Sequence, residues 1–118
     1  MKILDVTPML TVIEMEPAIE FYRDVLGFSC LNSNPEWACM GLDGAEVMLT
    51  LPNEHIPFDK PKMTGSLYFN TDDVESLWSR MKDRCVVEYP IEEFEYGMRE
   101  FAIRDNSGYL LQFGQRID

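Results

Sequence analysis

One order of elements occurs twice in this chain, and a duplicated order confines the fold more tightly than any composition figure. Residues 3–12 are β-branched and apolar enough for a strand, and Glu14-Met15-Glu16-Pro17 then opens a helix with proline near its first turn. Ala18, Phe21, Tyr22, Val25 and Leu26 recur at helical spacing, and Gly27 stands where a glycine ends a helix. Strand-like runs follow at 28–31, 37–42 and 45–51, the last two joined by the hairpin turn Asp43-Gly44. Residues 52–63 carry Pro52, Pro57 and Pro61 without a helical period and read as a linker or binding loop. The order then starts again. Residues 65–71 alternate as a strand, Thr71-Asp72-Asp73 supplies a helix N-cap, and Val74, Leu77, Trp78 and Met81 form an apolar stripe that assigns Trp78 to the core. Strands are expected at 85–87, 98–104 and 108–114, with Asp105-Asn106-Ser107-Gly108 as the turn between the last two. Both halves read βαβββ, and their strand-to-helix junctions, at Val12 and Thr71, are 59 residues apart in a chain of 118. The expectation is one α+β domain of two modules, 1–51 and 64–118, joined by the loop 52–63.

Side-chain alternation along a strand assigns the faces, because the more apolar set must meet the helix of its module. In 45–51 that set is Val47, Leu49 and Leu51, which leaves Glu46, Met48 and Thr50 on the open face. In the second module Leu67, Phe69, Phe101 and Ile103 go to the helix. Ser66, Tyr68, Asn70, Glu100, Ala102 and Gln112 face away. Together with Thr7 and Met9 these residues make a lining of apolar, hydroxyl, amide and carboxylate groups, the character of a ligand pocket.

Hydrophobic residues at 46% exclude a disordered chain, and no apolar run approaches the roughly 20 residues of a bilayer span. The opening MKILDVTPML is too short and interrupted for a signal peptide, so a cytoplasmic location is expected. Cys30, Cys39 and Cys85, odd in number and widely spaced, fit buried thiols in a reducing compartment. The net charge of −11 argues against nucleic acid and favours cationic partners.

Catalytic motifs are absent from the sequence. His55, the only histidine, has no second ligand at metal spacing, no serine lies in a nucleophile elbow, and no glycine loop cradles phosphate. The carboxylates remain. Glu92, Glu93 and Glu95 flank Phe94 and precede Tyr96-Gly97, a pattern that can hold a cation by Coulomb attraction and by stacking on ring faces, or that is a solvated acidic loop beside core aromatics.

Four blocks carry a family resemblance: TPMLTV at 7–12, AIEFYRDVLGF at 18–28, SLYFNTDDVESLW at 66–78 and YGMREFAIRDNSGYLLQF at 96–113. In these the chain resembles the glyoxalase/bleomycin resistance/dioxygenase superfamily, also called the vicinal oxygen chelate proteins. The resemblance implies two βαβββ modules, each making half of an open barrel-like cleft. Enzymes of the family chelate a divalent metal through positions that match Thr7, Met48, Ser66 and Gln112, where His or Glu is expected. The departure points to the metal-free branch, and the TPMLTV and YGMREF segments look most like the bleomycin resistance proteins. Those are acidic homodimers that exchange an N-terminal strand at a proline, matched by Pro8, and hold a cationic glycopeptide between subunits.

The sequence thus leads to a homodimeric, metal-independent protein without cofactor that sequesters a cationic or aromatic compound. Trp37, Phe58 and Phe94 are expected to stack on it, Glu93, Glu95 and Glu100 to pair with its charge, and Ser66, Tyr68, Asn70 and Gln112 to hydrogen-bond it. Glu46 and Met48 complete the lining. The alternatives are a metal-dependent lyase, isomerase or dioxygenase using Glu46, Glu100 and His55, and a binding domain for another metabolite.

Overall fold

The structure, a computed structural model, describes residues 1–53 and 59–117. Two compact units divide the chain, Met1–Asp59 and Lys60–Asp118, and each holds one four-stranded sheet with helix on one side. The α+β class and the pair of similar modules therefore agree with the sequence reading. The expected binding residue Phe58, the histidine at position 55 and the centre of the 52–63 loop fall on or across residues outside those described.

In unit 1 the sheet runs β1-β4-β3-β2, from β1 (Met9–Thr11), β2 (Ser29–Asn34), β3 (Trp37–Leu42) and β4 (Ala45–Thr50). β1 pairs in parallel with β4, Met9 opposite Met48. Only three residues of the expected strand at 3–12 join the ladder. Pro8 has no N–H to donate, although its carbonyl accepts from the Met48 N–H at 2.9 Å, and Ile3, Leu4 and Val6 before it are exposed. Helix α1 (Met15–Glu20) runs into a π-helical turn, Phe21–Val25, closed by the Leu26 N–H on the Phe21 carbonyl at 3.2 Å. That turn places Tyr22 in the core, fully buried and edge-on to Phe28. Val47, Leu49, Ala38 and Met40 pack under the helix with no exposed surface. The Asp43-Gly44 turn is as expected, with Asp43 in the left-handed region at φ 52°.

In unit 2 the order is β5-β8-β7-β6, from β5 (Leu67–Asn70), β6 (Val86–Phe94), β7 (Met98–Arg104) and β8 (Leu110–Arg116). Helix α2 (Val74–Met81) begins at Asp73, whose carboxylate accepts from the Ser76 N–H at 3.2 Å. Those bonds to Ser76 hold the Asp73 carboxyl below its ordinary pKa. Trp78 of α2 meets Phe101 at a tilt, and Phe101, Phe113 and Phe69 stack in turn beneath the helix, with centroids 5.1, 5.2 and 5.0 Å apart along the series.

Strand β6 differs most from the sequence reading, which ended it at residue 87. It continues to Phe94 because it lies at the sheet edge and carries irregularities between Val87 and Tyr89 and between Tyr89 and Glu92. An edge with bulges tolerates Pro90, which a central strand would not. The last strand is shifted two residues later, since the Asp105 carboxylate accepts from the N–H groups of Ser107 and Tyr109, both at 2.9 Å, and holds the turn until Tyr109. Phe101 is fully buried between Trp78 and Phe113. Replacing it with alanine is expected to cost about 3–5 kcal/mol, read from urea unfolding. A loss under about 1 kcal/mol would show that the ring stack is not the core of unit 2.

Candidate functional site

Face assignment by alternation holds in unit 2. Leu111, Phe113, Phe101 and Ile103 meet the helix, and Tyr68, Glu100 and Gln112 lie on the other side. Glu100 sits in the middle of β7, opposite Gly114 of β8, with 1% of its surface exposed. A carboxylate that deep needs partners for both oxygens. Tyr68 donates its hydroxyl to Oε1 at 2.8 Å, and Tyr89 donates to Oε2. The Tyr89 oxygen in turn accepts from Gln112 Nε2 at 2.9 Å, and Ser66 donates to Gln112 Oε1.

Gly114 makes this possible. Tyr68 stands on β5 across from Gln112, so it must cross β8 diagonally to reach Glu100. Its ring passes over Gly114, where a β-carbon would lie 1.9 Å from the Tyr68 hydroxyl oxygen. Beside the network Phe94 stacks on Tyr96, centroids 5.4 Å apart, and meets the edge of Tyr89 at 5.7 Å. All three tyrosines hold their protons more firmly than usual. Burial raises Tyr68, Tyr89 and Tyr96, and the nearby Glu100 carboxylate adds to it, taking Tyr89 and Tyr96 up to about 12.

The structure brings together five of the expected site residues, Ser66, Tyr68, Phe94, Glu100 and Gln112. Asn70 is exposed on the same face beside Gly114. Glu93 lies elsewhere: it pairs across the β6–β7 hairpin with Arg99, which also reaches Glu75 of α2 at 3.7 Å, so its carboxylate turns to the helix side. Glu95 is exposed in the turn between β6 and β7. In unit 1, Trp37, Glu46 and Met48 share the open face by register, and Glu46 accepts from the Cys39 thiol at 3.4 Å. Burial first, then Glu46, pushes that thiol up. Thr7, half-buried, precedes β1. Sequence reasoning missed Tyr89, Tyr96 and Gly114. Pro90 concealed the strand that presents Tyr89, whereas a glycine within a strand is a readable mark of close approach.

Thr7, Met48, Ser66 and Gln112, which the sequence resemblance matches to the family's metal ligands, form a set with neither imidazole nor anionic oxygen, and Ser66 and Gln112 are bonded to each other. These residues do not fit a divalent ion. Among the described residues no three His, Cys, Asp or Glu side chains come together as a metal group, and no helix is long and apolar enough to cross a membrane. Unit 1 also has a cavity of about 650 Å³ near the start of α1, lined by Ile13, Met15, Pro17, Ile19, Pro35 and Leu51 with Glu14, Glu16, Ser33 and Asn34.

Two βαβββ units with a polar open face on the second define a class that the comparisons identify. The chain belongs to the Glyoxalase/Bleomycin resistance protein/Dioxygenase superfamily, which it matches over residues 3–113. A search among curated proteins finds no match. Among solved structures it is similar to a protein of unknown function from Agrobacterium tumefaciens, with a TM-score of 0.84 and 18% identity over 99% of this chain and 97% of that one. It is also similar to TioX from Micromonospora sp. ML1, with a TM-score of 0.77 and 19% identity over 94% and 97% of the two chains. A lactoylglutathione lyase from Agrobacterium tumefaciens gives a TM-score of 0.73 and 22% identity over 94% and 92%. At these identities the likeness is one of fold.

Two outcomes test this geometry. The raised tyrosines favour the folded state while protonated, so their stabilisation is fully present below pH 10 and is lost as the pH rises through about 12. Spectrophotometric titration is expected to show tyrosines ionising near pH 12, with Glu100→Gln bringing those midpoints part of the way back toward 10. Identical titrations in both proteins would separate Glu100 from the tyrosines. Gly114→Ala is expected to displace Tyr68 and to cost about 1–3 kcal/mol by urea unfolding, and an unaltered stability would refute the close crossing.

Proposed function

We propose that this protein is a metal-independent binding protein that sequesters a cationic or aromatic small molecule, in the manner of the bleomycin resistance proteins. The observation that carries the reading is the donor set. Where family enzymes place metal ligands this chain has Thr7, Met48, Ser66 and Gln112, and the last two spend their oxygen and hydroxyl on each other. Beside Ser66 and Gln112, within unit 2, lies a face of tyrosine, phenylalanine and carboxylate, suited to a flat or positively charged ligand. The net charge of −11 steers cations toward the protein. Ser66, Tyr68, Asn70, Phe94, Glu95 and Gln112 are the proposed contacts in unit 2, and Trp37, Glu46 and Met48 those on the open face of unit 1.

The proposal includes a homodimer. Met1, Ile3, Leu4 and Val6 are each more than 80% exposed, an apolar arm with Pro8 at its root, and a second copy offers such an arm a place to bury.

Native mass spectrometry tests both parts. The expected result is a metal-free dimer of 13.7-kDa chains that takes up two molecules of metal-free bleomycin. A monomer at micromolar concentration overturns the arm arrangement. Protein that ignores the drug overturns its drug-specific form, and a retained divalent ion replaces the binding reading with a metal-dependent lyase, isomerase or dioxygenase.

A further inference from the structure

The direction of every hydrogen bond around Glu100 follows from one fact, that a carboxylate has lone pairs and no proton to give. Tyr68 and Tyr89 must therefore donate to it. Having spent its proton, Tyr89 can only accept from Gln112, which places the amide nitrogen of Gln112 toward Tyr89 and its oxygen toward Ser66. Ser66 must then donate as well. Three hydroxyls thus turn their protons into the protein; the Tyr89 oxygen accepts from Gln112, and the oxygens of Tyr68 and Ser66 keep lone pairs that none of these bonds uses. Among these side chains the second N–H of Gln112 is the one donor that the network does not use.

We propose that this network makes the open face of unit 2 an acceptor surface, whose ligand class is an organic cation with N–H donors, a protonated amine or amidine. The inference rests on the binding function proposed above and names its ligand chemistry. Glu100 is buried beneath its tyrosines and does not touch the ligand; it is a positioning residue that fixes which way the phenols point. Tyr68 is the most exposed of the three hydroxyl residues, with 39% of its residue surface open, and its phenol oxygen, whose remaining lone pair no bond of the network takes, is the acceptor assigned to the ligand's N–H. The exposed Tyr96, stacked on Phe94, offers its ring face to the apolar part of the same molecule. Charge and hydrogen bonding agree: negative potential attracts the cation, and the lone pairs require it to carry protons.

This differs from an aromatic cage. A cage holds a quaternary ammonium through ring faces alone, whereas an acceptor surface discriminates against it because no N–H remains to fill the lone pairs. Three probes of matched ring size separate the cases: benzylammonium, N,N,N-trimethylbenzylammonium and benzoate, each titrated by amide NMR shifts at constant ionic strength. The expected order is benzylammonium about tenfold or more tighter than the quaternary ion, with benzoate not bound. Tyr68→Phe keeps the ring and removes the oxygen. That variant is expected to bind benzylammonium and the quaternary ion equally, with its amide spectrum reporting an intact fold. Glu100→Gln, where it folds, is expected to narrow the same preference by freeing a phenol to turn outward.

Quaternary ammonium binding as well as benzylammonium in the wild type, or benzoate binding, overturns the proposal. So does a preference that survives Tyr68→Phe. Bleomycin uptake in native mass spectrometry without discrimination among the three probes defeats the acceptor surface alone and leaves the binding function standing. Failure of the drug and of all three probes defeats both.

Discussion

A carboxylate buried in the middle of a sheet sets terms that its neighbours have to meet, and in unit 2 Glu100 sets them. Each of its oxygens needs a donor because the sheet excludes water from the position. Tyr68 and Tyr89 supply them from strands on either side, one from β5 across β8 and one from β6. Those two demands account for details that otherwise look unrelated: the absence of a side chain at Gly114, the bulges that aim Tyr89, and the amide orientation of Gln112. The result is a polar face with fixed proton directions on a sheet whose other face is stacked aromatic rings.

The two units solve the same packing problem with different chemistry. Each buries one side of a four-stranded sheet under a short helix, and in each the alternation along the strands decides what is left outside. Unit 1 leaves Trp37, Met48, Glu46 and a buried thiol, while unit 2 leaves the hydroxyl and carboxylate network. A duplicated framework with diverged open faces is how one family fold serves many ligands. In unit 2 the buried carboxylate stands one strand away from Gln112, on β7.

Much of the fold was legible because its signals are local. The Asp43-Gly44 turn, the Asp73 cap and the Val47–Leu49 alternation each depend on a few neighbouring residues, and each is found in the expected place. Errors came where tertiary position overrides local preference. Residues 3–8 have strand composition and no strand to pair with, whereas 88–94 contain Pro90 and an acidic run yet form an edge strand that bulges make tolerable. The site divides in the same way. Tyr68, Glu100 and Gln112 followed from parity, but Glu93 turned to Arg99 on the helix side and Tyr89 entered from a strand the sequence had not extended far enough.

By itself the sequence determined the repeated βαβββ order and the apolar faces, since these rest on residue type and spacing, and four of its blocks carried the resemblance to the family. Only the tertiary structure decided that Glu100 is buried rather than presented, and that the hydroxyls of Ser66, Tyr68 and Tyr89 spend their protons within one network. Hydrogen-bond direction depends on which groups from distant strands meet. Residues 66, 68, 89, 100 and 112 carry no mark in the sequence that sets their partners, which become fixed once strand order and register bring them to one face.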